Sequence, residues 1–78
     1  MTLTGYLYRD NMSPKKIGLM LKRIREGKGM TQLELARRAH VAQGYLSELE
    51  VGQKKNPGIE TLRKIAKALS VPVTELLR

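Results

Sequence analysis

Little in this chain can do covalent chemistry. It has one histidine (His40), one aspartate (Asp10) and no cysteine. That inventory builds no nucleophile–base pair, no metal-ligand cluster and no glycine loop that cradles phosphate. An enzyme is therefore not expected, nor a metal or cofactor. What the chain does have is cations: 15 Lys/Arg against 7 Asp/Glu, a formal +8. Such a surplus suits a polyanionic partner, and equally a basic solvated surface. Lys54 and Lys55 are adjacent, and Gln32 and Gln43 carry amides that pair with anions or base edges. Whether these act together depends on the elements that hold them.

Residues 31–52, TQLELARRAHVAQGYLSELEVG, dominate that question. Thr31 is a helix N-cap, and Glu34 three residues on completes a capping box. Leu35, Ala36 and Ala39 follow on one face at helical spacing. His40-Val41 breaks the run, with His40 expected as a turn residue at positive φ. A second helix starts near Ala42, with Tyr45, Leu46 and Leu49 pointing inward, and Gly52 stops it. Two short helices across a tight break describe a helix-turn-helix. The second helix of that unit projects into the major groove of duplex DNA, where all four base pairs differ.

The motifs T-Q-x-E-L-A, Y-L-S-E-L-E-x-G and N-P-G-I-E-T-L, in this order and spacing, closely resemble the phage-repressor-like (lambda-repressor-like, XRE-type) helix-turn-helix family over residues 15–78. The resemblance implies an all-α, compact five-helix domain with the helix-turn-helix in helices 2 and 3. It also implies the site. Ala42, Gln43, Gly44, Ser47 and Glu48 would face the groove, Gln43 pairing an adenine edge, Ala42 meeting a thymine methyl and Glu48 accepting from cytosine N4. Gln32, Lys54, Lys55, Asn56 and, more weakly, Arg38 would contact phosphate. Arg25 and Glu50 would form a buried ion pair that sets the recognition helix on the domain. Departures from the family pattern are His40 at a customary glycine, Ala42 where a Ser or Thr cap is frequent, Gly44 at a base-reading position and Val51 at a polar one. Shape readout would then carry more of the specificity.

Around this unit, Ser13-Pro14 opens helix 1, which runs to about Glu26 with Ile17, Leu21, Ile24 and Met20 inward. Helix 4 starts near Gly58-Ile59 and carries Leu62, Ile65, Ala66 and Leu69. Pro72 opens a last short helix, Val73 to Leu77. Val71, Val73, Leu76 and Leu77 cluster there and, as the resemblance implies, would form a homodimer reading an inverted repeat. Residues 1–12 form a leader outside the resemblance. It is read as a loose segment packing its tyrosines, with a minor-groove arm led by Arg9 or dimer contacts as alternatives, and Met12 as an internal start.

The 78 residues read as one domain, 13–78, behind the leader. No apolar run approaches the ~20 residues that span a bilayer, and no signal peptide is visible. Absence of cysteine suits the cytoplasm. The expectation is a bacterial or phage DNA-binding transcription regulator, a homodimeric repressor or autoregulator. The alternative is a protein-interaction module of the same fold, such as a toxin-binding antitoxin. A protein partner, a toxin or the transcription machinery, stands beside DNA.

Overall fold

The Ser13 hydroxyl accepts the Lys16 backbone N–H at 3.2 Å, and Pro14 takes the first helical position. These two residues start α1 (Pro14–Gly27) where a missing N–H costs nothing. The computed structural model describes residues 13–54 and 57–78. The leader, including Arg9 and Met12, lies outside the described residues, as do Lys55 and Asn56.

Helix α2 (Gln32–Ala39) begins with the expected capping box. Thr31 Oγ1 accepts from the Glu34 N–H at 3.0 Å, and Glu34 Oε1 accepts from the Thr31 N–H at 2.9 Å. Helix α3 (Gln43–Glu50) follows after a two-residue link and has no side-chain cap, because Ala42 has no acceptor to offer. Helix α4 (Ile59–Ala68) carries the expected apolar stripe, with Leu62, Ile65, Ala66 and, at its C-cap, Leu69 all buried.

The four α-helices of the described residues end in the same way. A residue at the cap (His40, 59°) or just past it (Gly29, 71°; Gly52, 79°; Ser70, 60°) takes positive φ. In each case the next residue's N–H returns to a carbonyl five positions back, as in Val41 to Ala36 (3.0 Å) and Gln53 to Glu48 (2.9 Å). This is the Schellman ending, which satisfies carbonyls the helix leaves open. At two of the four ends a non-glycine residue bears the left-handed strain.

The core is one cluster drawn from every element: Ile17 and Leu21 of α1, Leu35, Ala36 and Ala39 of α2, Leu46 and Leu49 of α3, the α4 stripe, and Leu76. Helix α1 packs on α3, and α2 packs on both α3 and α4. Ile24 and Tyr45 are half-buried at its margin rather than inside it. The described residues are all helical or irregular, with no strand among them.

The expected fifth α-helix is instead a single 3-10 turn, Val73–Leu76. Its bonds run i to i+3, Glu75 N–H to the Pro72 carbonyl and Leu77 N–H to the Thr74 carbonyl. The tighter winding turns Leu76 onto α4 and α1, where it is 1% exposed. Leu76 is thus a core residue of the single chain. Val71, Val73 and Leu77 remain half-buried around it. Among the described residues no helix is long and apolar enough to cross a membrane.

The capping box carries a pH signature. The Thr31 backbone N–H holds the Glu34 carboxyl below its ordinary value of 4.5; the Thr31 hydroxyl bond and the Arg38 charge add to this, against a desolvation effect of opposite sign. A carboxyl lowered on folding stabilises fully above its unfolded pKa, and that contribution is lost as pH falls through the folded value. The urea midpoint gap between wild type and Glu34→Gln should therefore shrink from about pH 6 to about pH 3. A gap that stays constant would show that the carboxylate charge contributes nothing.

Candidate nucleic-acid interface

Helix α3 is seated by close backbone approach and by one polar network. At Gly18 of α1, a Cβ would lie 2.0 Å from the Leu49 carbonyl oxygen and 2.8 Å from that of Glu50. Only a hydrogen fits there, so α1 lies directly against the C-terminal end of α3. Gly18 went unnoticed in the sequence reading; its one local signal is a glycine inside a helix that otherwise suits larger residues.

Beside this contact, the Arg25 guanidinium forks onto the Glu50 carboxylate. Nε donates to Oε2 at 2.5 Å and Nη2 to Oε1 at 3.0 Å. Both side chains are buried. The remaining Arg25 nitrogen donates to the Met30 carbonyl at 2.7 Å, and Gln32 Nε2 donates to Glu50 Oε1 at 2.9 Å. Glu50, first through its hydrogen bond, holds the Arg25 pKa above its ordinary value, against the opposing effect of burial. One carboxylate near the end of α3 is therefore tied to α1 and to the first residue of α2. No buried side-chain nitrogen or oxygen among the described residues lacks a partner.

The network leaves the other side of α3 free. Ala42, Gln43, Gly44 and Glu48 are exposed and Ser47 is half-buried. A Cβ on Gly44 would meet nothing within 4 Å. Neither internal packing nor positive φ thus requires glycine there, and the helix start is bare. With no cap at Ala42, the first N–H groups of α3 are open to an outside acceptor. Gln32 is placed at the start of α2, bridged to α3 through Glu50, with a second amide hydrogen to spare.

Past α3, Lys54 Nζ stands 3.2 Å from Glu48 Oε1 and 5.1 Å from the centre of the Tyr45 ring. Nothing in local sequence pattern linked Lys54 to Tyr45 and Glu48. Val51, just after α3, is strongly exposed for an apolar side chain. Arg38 is elsewhere. It lines a cleft of about 390 Å³ between α2 and α4 with Ala39, His40, Lys64, Lys67 and Ala68, and among the described residues none of α3 lines it. Arg38 and Lys67 sit in the last turns of α2 and α4, where the helix dipole favours cations. Neither Gln32 nor Lys54 lines this cleft with Arg38. Among the described residues no three His, Cys, Asp or Glu side chains converge on a metal position.

Comparison with known proteins agrees with this geometry. The helix-turn-helix family model (HTH_3) matches residues 21–76. The regulator SinR of Bacillus subtilis is 43% identical over 61 residues, 78% of this chain and 55% of SinR. The HTH-type transcriptional regulator y4dJ of Sinorhizobium fredii, itself uncharacterized, is 43% identical over 63 residues, 81% of this chain and 80% of that protein. Among solved structures, the restriction-modification controller C.AhdI from Aeromonas hydrophila superposes with a TM-score of 0.78 at 32% identity, covering 81% of this chain and 94% of that one. SinR in complex with DNA superposes with a TM-score of 0.76 at 42% identity, covering 80% and 98%. The chain spans about half the length of the SinR protein it matches. With two short helices set across a left-handed turn, the second pinned at its far end and bare at its start, and with these matches over most of its length, the chain belongs to the lambda-repressor-like (XRE-type) helix-turn-helix family.

Proposed function

We propose that this protein is a sequence-specific duplex-DNA-binding transcription regulator that acts as a homodimeric repressor or autoregulator. The observation that carries the reading is the exposed start of α3, with Ala42, Gln43 and Gly44 unobstructed while Glu50 is pinned at the other end. A rigidly held helix with a bare N-terminus enters the major groove, and its first turn meets base edges and the adjacent phosphate. Gln43 is the direct reader, paired with an adenine edge, and Ser47 and Ala42 supply smaller contacts. Gln32 and Lys54 hold phosphate, with Lys55 and Asn56 next in sequence. The relative SinR has been solved in complex with DNA, which supports a DNA-binding role here.

Two-fold pairing through Val71, Val73 and Leu77 would place two α3 helices about one helical turn apart on an inverted repeat. The reading is tested by selecting duplexes from a random pool, then measuring affinity for the selected and a scrambled duplex across a salt series. A log–log salt dependence with negative slope and clear preference for the selected duplex are expected. Gln43→Ala should lower affinity for the selected duplex about 5- to 150-fold and leave scrambled binding nearly unchanged. A monomeric mass at micromolar concentration, with and without the duplex, would remove the dimer.

One observation favours a second reading. Ala42 and Gly44 bring almost no side chain to the base-reading face, which suits a protein-interaction module such as an antitoxin. No enrichment of any duplex, together with co-purification of a partner protein on the α3 face, would establish it.

A further inference from the structure

We propose that Glu48 is a specificity-determining residue that acts by withholding Lys54 from phosphate, a role that rests on the DNA-binding reading of α3. Glu48 is the single acidic side chain exposed on α3, since Glu50 is buried. It does not simply face solvent. Its carboxylate holds Lys54 at 3.2 Å, and the same ammonium stands 5.1 Å from the Tyr45 ring centre. Tyr45 and Glu48 are one helical turn apart on α3, so one short stretch offers the lysine a carboxylate and a ring face. Lys54 is thereby drawn back against the helix that carries Gln43. Both partners are close to half exposed, so water and salt weaken the pair and leave it breakable.

Breakability is what gives the arrangement its function. A phosphate can claim Lys54 only by displacing Glu48, which leaves that carboxylate unpaired beside a polyanion. A scrambled duplex offers nothing in return, and the exchange works against binding. A duplex with a cytosine under Glu48 offers its N4 amino group as a replacement donor, so the carboxylate is re-paired when the lysine leaves. Lys54 then contributes its phosphate contact in full on the selected site and only in part elsewhere. Glu48 lowers affinity overall and raises discrimination.

The test is a double-mutant cycle of Glu48→Gln and Lys54→Ala, read as affinity for the selected and the scrambled duplex at low salt. Neither residue belongs to the core, so all four proteins should fold alike. In the wild-type background Glu48→Gln should raise affinity for the scrambled duplex about 3- to 10-fold and reduce the preference for the selected one by a similar factor. In the Lys54→Ala background only the direct carboxylate–phosphate repulsion is relieved, and the gain should be at least about 3-fold smaller. An equal or larger gain in that background overturns the proposal, because a carboxylate that merely repels DNA acts without Lys54.

A DNA-free measurement keeps this distinct from the DNA-binding reading. The Lys54 side-chain protons should show an upfield ring-current shift from Tyr45 that shrinks in Glu48→Gln. Lack of that shift in wild type overturns the latch even where duplex binding is strong. Its presence with no binding to any duplex overturns the specificity role together with the DNA-binding reading.

Discussion

Replacing Glu50 by alanine is expected to destabilise the domain by about 3–5 kcal/mol, because it strands a buried cation. Arg25 would lose both of its bonds to the carboxylate and keep the Met30 carbonyl and a 3.9 Å contact with the exposed Glu26 carboxylate, while Gln32 would lose its bond to α3. The guanidinium is more than nine-tenths buried, so little water is at hand to replace the carboxylate. For a small domain this loss is a large share of total stability, and a substantial unfolded population at ambient temperature should follow. Urea denaturation followed by circular dichroism measures it, and a loss below about 1 kcal/mol would mean the pair is not desolvated as its burial indicates. The paired replacement Arg25→Met with Glu50→Met separates stability from orientation. Removing both charges should return most of the lost stability. It should not return duplex binding, because apolar contact does not fix the angle of α3 as the forked bonds do.

Gly18→Ala should also be strongly damaging, at about 3 kcal/mol, although alanine is the better helix former. The added Cβ would stand 2.0 Å from the Leu49 carbonyl oxygen, and that obstacle is backbone rather than the end of a flexible side chain. Relief requires α1 and the end of α3 to move apart. Such a shift pulls Glu50 away from Arg25 and opens the core at Leu21 and Leu49, which are 0% and 2% exposed. Propensity alone predicts the opposite sign, a gain of about 1 kcal/mol. Gly27→Ala is the matched control, since a Cβ there meets nothing within 4 Å and the change should be neutral to mildly stabilising. Thermal unfolding of the two variants should therefore shift in opposite directions. A Gly18→Ala protein as stable as wild type would show that α1 and α3 pack less closely than 2.0 Å implies.

Sequence alone determined the local features of this protein, because their causes lie within a few residues of one another. The Thr31–Glu34 box, the Ser13-Pro14 start, the positive φ at His40 and Gly52, and the buried stripe Leu62-Ile65-Ala66-Leu69 each follow from spacing along one helix or across one turn. Family resemblance extended this to the helix-turn-helix pairing and suggested a partner for Arg25 25 residues away, where no periodicity points. Tertiary structure decided the rest. Whether Val73 begins an α-helix or a 3-10 turn depends on where Leu76 finds the core, and that choice removed Leu76 from the surface. Arg38 turned toward Lys64 and Lys67 because α2 packs on α4, an arrangement with no mark in residues 31–39. Gly18 is required only because the end of α3 lies against it. Lys54 meets Glu48 and Tyr45 only because the Schellman ending at Gly52 folds the chain back beside α3. Short-range hydrogen bonding and hydrophobic period act along the chain and can be read from it. Close approach, burial and charge pairing act between segments, and only the packed molecule sets them.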